Sequence, residues 1–147
     1  MFDIEKSIGF LLAKASQRAG ALFKEELDHF GLTPRQFSLL AFLWQQDELS
    51  QVELSERSQI DRTTICGLID RLEKQGLVER RPNPSDRRAY LISLTPRGRE
   101  LEEPLGAAAD RTLARFTAGL SDRDQSDLVR HLEVLRGERR IYASLDT

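Results

Sequence analysis

The chain has 147 residues, 39% of them apolar and 31% charged, and its 22 Lys and Arg against 24 Asp and Glu leave a net charge of −2. That composition is globular rather than disordered, enough for one domain or a small core with appendages, and no apolar run approaches the roughly 18 residues of a membrane span. A single cysteine, Cys66, excludes an internal disulfide framework and a paired-cysteine metal site, and the acidic start MFDIEK, unlike the basic head of a signal peptide, points to a cytoplasmic protein.

Residues 4 to 30 place Ile4, Ile8, Leu11, Leu12, Ala15, Ala19, Leu22, Phe23, Leu27 and Phe30 at intervals of three and four, which predicts a long amphipathic helix stopping at Gly31. Thr33-Pro34-Arg35-Gln36 then reads as a capping box with proline in the first turn, opening a second helix through Phe37, Leu40, Leu43 and Trp44. Ser50 to Glu53 is a second capping box, for a short helix ending near Ser58, and Asp61 caps a fourth that runs to about Gln75 and stops at Gly76. Beyond it the period changes. LVERR and YLISL, separated by the turn residues PNPSD, predict an antiparallel hairpin. Thr95-Pro96 starts a fifth helix, broken or kinked near Pro104, and Ser121 to Asp124 opens a sixth that extends towards Tyr142.

Charge is unevenly spread along this order. Between Arg57 and Arg99 there are ten Lys or Arg and five Asp or Glu, a balance of plus five that leaves minus seven elsewhere. A basic segment between acidic flanks is an electrostatic footprint for phosphate. Two short helices joined by a three-residue turn and followed at once by a hairpin form a winged helix-turn-helix, with the fourth helix as recognition element. Its apolar side is Ile65, Leu68, Ile69 and Leu72. The opposite side is Thr63, Gly67, Asp70 and Lys74, with Arg62, Thr64 and Arg71 on the flanks. Small residues near the start admit the helix to a groove floor, and the hydroxyls and guanidinium groups suit phosphates and base edges. At the hairpin tip, Arg88 is the candidate for minor-groove insertion and Arg87 for a backbone phosphate. Asp86 either accepts from a neighbouring guanidinium or the wing amides, fixing the arginine, or merely lowers the local charge or closes an Asx-turn after Pro84.

The stretch DRTTICGLIDRLEKQGLVERRPNPSDRRAYLISLTPRG resembles the winged-helix core of the MarR family of bacterial transcriptional regulators, through the Asp-x-Arg of Asp86 and Arg88 and the Leu-Thr-x-x-Gly of Leu94, Thr95 and Gly98. It extends more loosely to GLTPRQFSLLAFL and the terminal helices. The resemblance implies a mainly α fold with a small β-hairpin wing, in which residues 33–95 form the DNA-binding lobe and residues 1–32 and 96–147 a helical dimerisation region. It implies a homodimer on a pseudopalindromic double-stranded operator, acting as a repressor released by an aromatic or phenolic acid or its thioester. The apolar stripes of the first helix and of Leu128, Leu132 and Leu135 independently ask for a covering partner. For the effector, Phe10, Lys14, Gln17 and Arg18 form a second face of the first helix that faces aromatic walls from Phe37 or Trp44; the same residues also suit an interface or a plain surface.

Other chemistries have less behind them. Cys66 lies in the recognition helix rather than near the amino terminus, where peroxide-sensing relatives carry their thiol. Glu25 and His29 share a helix face, but His131 is the only other histidine, so neither a metal nor any other cofactor is expected. With no glycine-rich phosphate loop, nucleophile elbow or histidine pairing, no catalytic residue is assigned and the chain does not read as an enzyme. The rivals are a winged helix used only as a protein-interaction adaptor, without DNA-binding activity, and a redox-sensing MarR-type regulator using Cys66.

Overall fold

A computed structural model describes residues 1–137, with residue 87 described through its backbone alone. The helix starts read at Thr33, Ser50, Asp61 and Ser121 carry the caps that their residue types predict, and the first helix begins later than its stripe, at a cap the sequence reading did not name. In α1 (Ile8–Leu27) the Ser7 hydroxyl accepts from the amide of Phe10. In α2 (Pro34–Gln45) Thr33 and Gln36 close a reciprocal capping box, as Ser50 and Glu53 do for α3 (Gln51–Ser58). Asp61 caps α4 (Arg62–Lys74), and Ser121 with Asp124 caps α7 (Asp122–Arg136). Each cap satisfies amide donors that have no partner inside the helix. The long first helix is shorter than its stripe: turns of 3-10 helix at Ile4–Lys6 and Asp28–Phe30 flank α1, and Gly31 closes the end at φ 66°.

One feature departs from the sequence reading, and one expected break is located. The hairpin of β2 (Val78–Asn83) and β3 (Asp86–Leu94) is joined by a third strand, β1 (Leu49–Ser50), which pairs antiparallel with β3 so that the sheet order is β1-β3-β2. A two-residue strand leaves no alternation to detect. The fifth helix is two helices, α5 (Pro96–Glu100) and α6 (Glu102–Phe116), parted at Leu101. Pro104 sits in the first turn of α6, where its missing N–H costs nothing, and the ladder breaks upstream because the proline cannot bond to the carbonyl four residues back. The expected extension of α7 towards Tyr142 falls on residues outside those described.

The core lies within the lobe and at its junction with the arm. Leu39, Leu40 and Leu43 of α2, Leu54 of α3, Ile65, Ile69 and Leu72 of α4, and Ile92 of β3 are fully buried, together with Leu27 from the end of α1 and Leu105 of α6. Trp44 ties the two parts, its indole N–H donating to the Gly98 carbonyl at 2.9 Å. By contrast α7 has no buried residue, and Ile4, Ile8, Leu11 and Leu12 are exposed on the amino-terminal half of the first helix's stripe. Only the carboxyl-terminal half of that stripe reaches the core of its own chain.

Candidate nucleic-acid interface

The turn between α3 and α4 is three residues long and is held internally. Gln59 adopts the left-handed region at φ 61°, its side chain donates to the Glu56 carbonyl at 2.7 Å, and the Ser55 hydroxyl donates to the Ile60 carbonyl. With α4 anchored by Ile65, Leu68, Ile69 and Leu72, its other side is left outward: Thr63, Cys66, Asp70, Arg71 and Lys74 are exposed, and Arg62, Thr64 and Gly67 half-buried. The predicted apolar and polar sides are therefore the observed ones.

Two valleys flank this outward ridge. One, of about 560 Å³, lies towards α2 and is lined by Thr33, Pro34 and Arg35 on one bank and by Thr63, Thr64, Gly67 and Arg71 on the other. The second, of about 520 Å³, lies towards the wing and is lined by Arg62, Thr63 and Cys66 across from Arg88, Ala89 and Tyr90. Thr63 borders both, so the first turns of α4 form the crest between them. Lys74 stands apart, at the far end of α4 beside His29 and Arg97.

Electrostatics sort the arginines into two groups. Arg80, with a side chain only 18% exposed, bonds Asp70 and, through its other guanidinium nitrogen at 2.9 Å, Glu73. Burial lowers the pKa of its guanidinium, but the hydrogen bond and charge of Asp70, then Glu73, outweigh that and hold it above the usual value. Asp70, expected on the free outward face, is thus tied to the wing strand. Arg81 pairs with Glu79 and Glu48, and Arg99 with Asp47 at 3.0 Å. Arg35, Arg71 and Arg88 have no side-chain partner among the described residues, and these three border the valleys. Carboxylates near the ridge are neutralised from within, and the unpaired cations face the space where a polyanion would lie.

The remaining candidates fall into place residue by residue. The Thr64 hydroxyl donates to the Asp61 carboxylate at 2.9 Å, beside the 2.9 Å bond from the Thr64 amide, so its proton serves the cap. Those bonds, the amide first, hold the Asp61 carboxyl below the ordinary aspartate range. At the wing tip the Asp86 carboxylate accepts from the Arg88 amide at 3.0 Å, an Asx-turn within the reading offered for it, while Asn83 does the same for Ser85 at 2.9 Å. Both turns stiffen the loop that carries Arg88. The Arg87 side chain lies outside what is described. Arg35 was legible in the sequence only as part of a helix start.

The six residues named for an effector are divided by the structure. Phe10 and Lys14 form a local cluster, with the Lys14 ammonium 5.4 Å from the ring centroid and 3.4 Å from Gln17. They lie roughly 20 Å (Phe10) and roughly 14 Å (Lys14) along α1 from Phe23, at 1.5 Å per residue, and Phe23 is the ring that Phe37 touches at 4.8 Å. Trp44 packs on Phe37 at 5.9 Å and is engaged with Gly98. Arg18 donates to the carbonyls of Phe116 and Arg115 and lies over the Phe116 ring at 5.6 Å. Of the six, Phe37 alone borders a cavity of about 400 Å³ between α1 and α6, lined also by Ala19, Gly20, Phe23, Thr112 and Phe116. Its feature of note is Thr112, 8% exposed, whose hydroxyl has no hydrogen-bond partner among the described residues. An unsatisfied buried hydroxyl costs about 1–3 kcal/mol. Nothing in sequence periodicity marks that residue. Among the described residues there is no cluster of His, Cys, Asp and Glu able to hold a metal, and no helix long and apolar enough to cross a membrane.

The family model of the MarR family matches residues 32–90. The HTH-type transcriptional repressor NicR of Pseudomonas putida is 37% identical over 118 residues, 80% of this chain and 74% of that protein. The crystal structure of a probable transcriptional regulator from Pseudomonas aeruginosa superposes with a TM-score of 0.85 at 38% identity, covering 90% of this chain and 99% of that one. Bordetella bronchiseptica BpsR, solved to explain regulation of its DNA binding by 6-hydroxynicotinic acid, superposes with a TM-score of 0.88 at 30% identity over 94% of this chain and 99% of that one.

Proposed function

The chain belongs to the MarR family of transcriptional regulators, and from that premise we propose that it is a homodimeric repressor that reads a pseudopalindromic duplex operator and is released by a small aromatic acid or its thioester. The observation that carries the DNA-binding part is the crest of α4 between two valleys, bordered by the unpaired Arg35, Arg71 and Arg88 while Asp70 and Glu73 are neutralised by Arg80. An α-helix with its side chains is about 10–12 Å across and the major groove about 12 Å wide, so such a crest fits the groove and its banks meet the strands. Thr63 and Gly67 are the small residues nearest the groove floor, and Arg62, Arg71 and Arg87 the flanking contacts, while Lys74 lies beyond the two valleys and the Thr64 hydroxyl is spent on the Asp61 cap. Arg88 is the wing's reach into the adjacent minor groove.

Dimerisation joins residues 1–32 and 96–147 of two chains, leaving residues 33–95 of each as a reading lobe, and it covers the apolar faces that one chain leaves open. The effector site is the cavity between α1 and α6, where Phe37 brings the lobe against the helical arm. Three phenyl rings accept a flat ring, and the Thr112 hydroxyl gives it a hydrogen bond not otherwise made. The regulation of BpsR by 6-hydroxynicotinic acid is a precedent for that ligand class. An occupant that separates lobe from arm releases DNA only if it prefers the non-binding spacing, since equal affinity for both spacings shifts nothing. A cytoplasmic setting, no catalysis and no cofactor belong to the same reading.

The test is equilibrium binding of the full chain to duplex fragments from upstream of its own gene. Affinity is expected to fall linearly in log salt and to survive unrelated competitor duplex, and Arg88→Ala to weaken it by roughly 1–3 kcal/mol with the dimer intact. A protein-interaction adaptor shows no duplex affinity even at low salt. Aromatic acids that raise the thermal midpoint and then release the bound duplex identify the effector class.

A further inference from the structure

We infer that α2 supplies a second grip on the DNA backbone: Arg35, facing Arg71 across the valley on the side of α4 away from the wing, binds the phosphates of the strand lodged there. This rests on the DNA-binding reading above and adds to it a contact that neither the sequence motifs nor the wing provides. Thr63 borders both valleys, so they are the two sides of one ridge. A helix filling the major groove has a sugar-phosphate strand on each side. The wing, with Arg88, accounts for one of them. The other lies in the valley whose lining residues are Thr33, Pro34, Arg35, Thr63, Thr64, Gly67, Leu68 and Arg71, with two arginines and no carboxylate.

Arg35 is also hard to explain by the stability of its own helix. It stands in the first turn of α2, which carries no acidic residue, so its charge sits at the positive end of the helix dipole. The guanidinium finds no partner among the described residues, and the side chain is exposed. The site is a side-chain site, not a set of open backbone donors: Pro34 has no N–H, and the Gln36 amide already donates to the Thr33 hydroxyl at 3.3 Å. An unpaired, planar, bidentate donor held at a poor place for folding and a good place for phosphate is the signature of a ligand contact. Because phosphate carries no base identity, the contact strengthens binding to every duplex equally.

The experiment measures equilibrium binding of wild type, Arg35→Ala and Arg35→Lys, as full chains, to the operator and to an unrelated duplex at several salt concentrations. Arg35→Ala is expected to bind both duplexes about tenfold more weakly, with the slope of log affinity against log salt shallower by about 0.9 per subunit contact, and Arg35→Lys to keep the slope. The thermal midpoint of Arg35→Lys stays at the wild-type value and that of Arg35→Ala is no lower, since it removes a cation from the positive end of the helix dipole. Wild-type affinity and slope in Arg35→Ala overturn the inference alone, as does a loss confined to the operator, which means base readout instead. A wild-type protein indifferent to duplex overturns the inference and the DNA-binding reading together.

Discussion

Gly98 shows how much one absent atom decides. A Cβ at that position would stand 2.1 Å from the Leu77 carbonyl oxygen and 3.1 Å from its carbon, both backbone atoms that cannot swing away. The same carbonyl accepts from the Thr95 amide at 3.1 Å, the Thr95 hydroxyl donates to the Gly76 carbonyl at 2.6 Å, and the Gly98 carbonyl accepts the Trp44 indole. The helix that leaves the wing is therefore pressed against the turn that enters it. Gly98→Ala should cost about 3 kcal/mol, the upper range for overpacking, read as a lowered urea midpoint at unchanged slope; an unchanged midpoint would mean that the turn yields. The sequence resemblance contains this glycine in its Leu-Thr-x-x-Gly pattern, but the reason for it was not legible, because Leu77 and Gly98 meet only after the hairpin has turned back. Helix caps are the opposite case. Thr33 with Gln36, and Asp61 with Thr64, lie three residues apart, so residue types alone identify them.

At the scale of elements, the orientation of the wing against the recognition helix depends on Arg80. From β2 it reaches Asp70 and Glu73, one turn apart on α4, and Glu73 also accepts the Arg80 amide at 3.2 Å. The two carboxylates of the clamp are exposed and solvent screens them, so its contribution to stability is modest, on the order of 1 kcal/mol. Its effect on binding is larger, because two carboxylates left without a cation beside the α4 ridge repel phosphate and the wing loses its bearing. Arg80→Met should leave the thermal midpoint within a few degrees of wild type and weaken operator binding by roughly 1–3 kcal/mol. Adding Asp70→Asn and Glu73→Gln separates the causes: recovery of affinity assigns the loss to charge, and no recovery assigns it to wing position. Here the hairpin and α4 were each legible from period and turn residues, but the clamp was not. Asp70 reads as an outward helix residue from helical spacing alone, and only the placement of β2 shows that it is occupied. β1 escaped for a related reason, being a strand only because β3 lies beside it.

For the whole molecule, the decisive quantity is apolar surface without a cover. Along α7, Leu128, Val129, Leu132 and Leu135 are all exposed, and Leu12 of α1 meets three of them at one shallow depression. Helical spacing in the sequence predicted these stripes, yet periodicity says only that a face is apolar; whether its own chain or another covers it depends on where α7 lies. One winged lobe has no use for this surface, and a second copy related by a two-fold axis buries it twice. Leu132→Asp places a charge in that contact on both copies at once, where burial without a partner is prohibitive. The expected outcome is a monomer by sedimentation, with the lobe's fold retained because Leu132 touches none of its core. Such a monomer keeps a recognition helix and a wing but loses the fixed spacing of two. Its affinity for a single half-site should match that of the dimer's lobe, while affinity for the full operator drops by about 10²–10⁴, the gain that linked binding provides. A variant that remains dimeric, or a monomer that holds the full operator as tightly as wild type, would place the helical arms outside the reading mechanism.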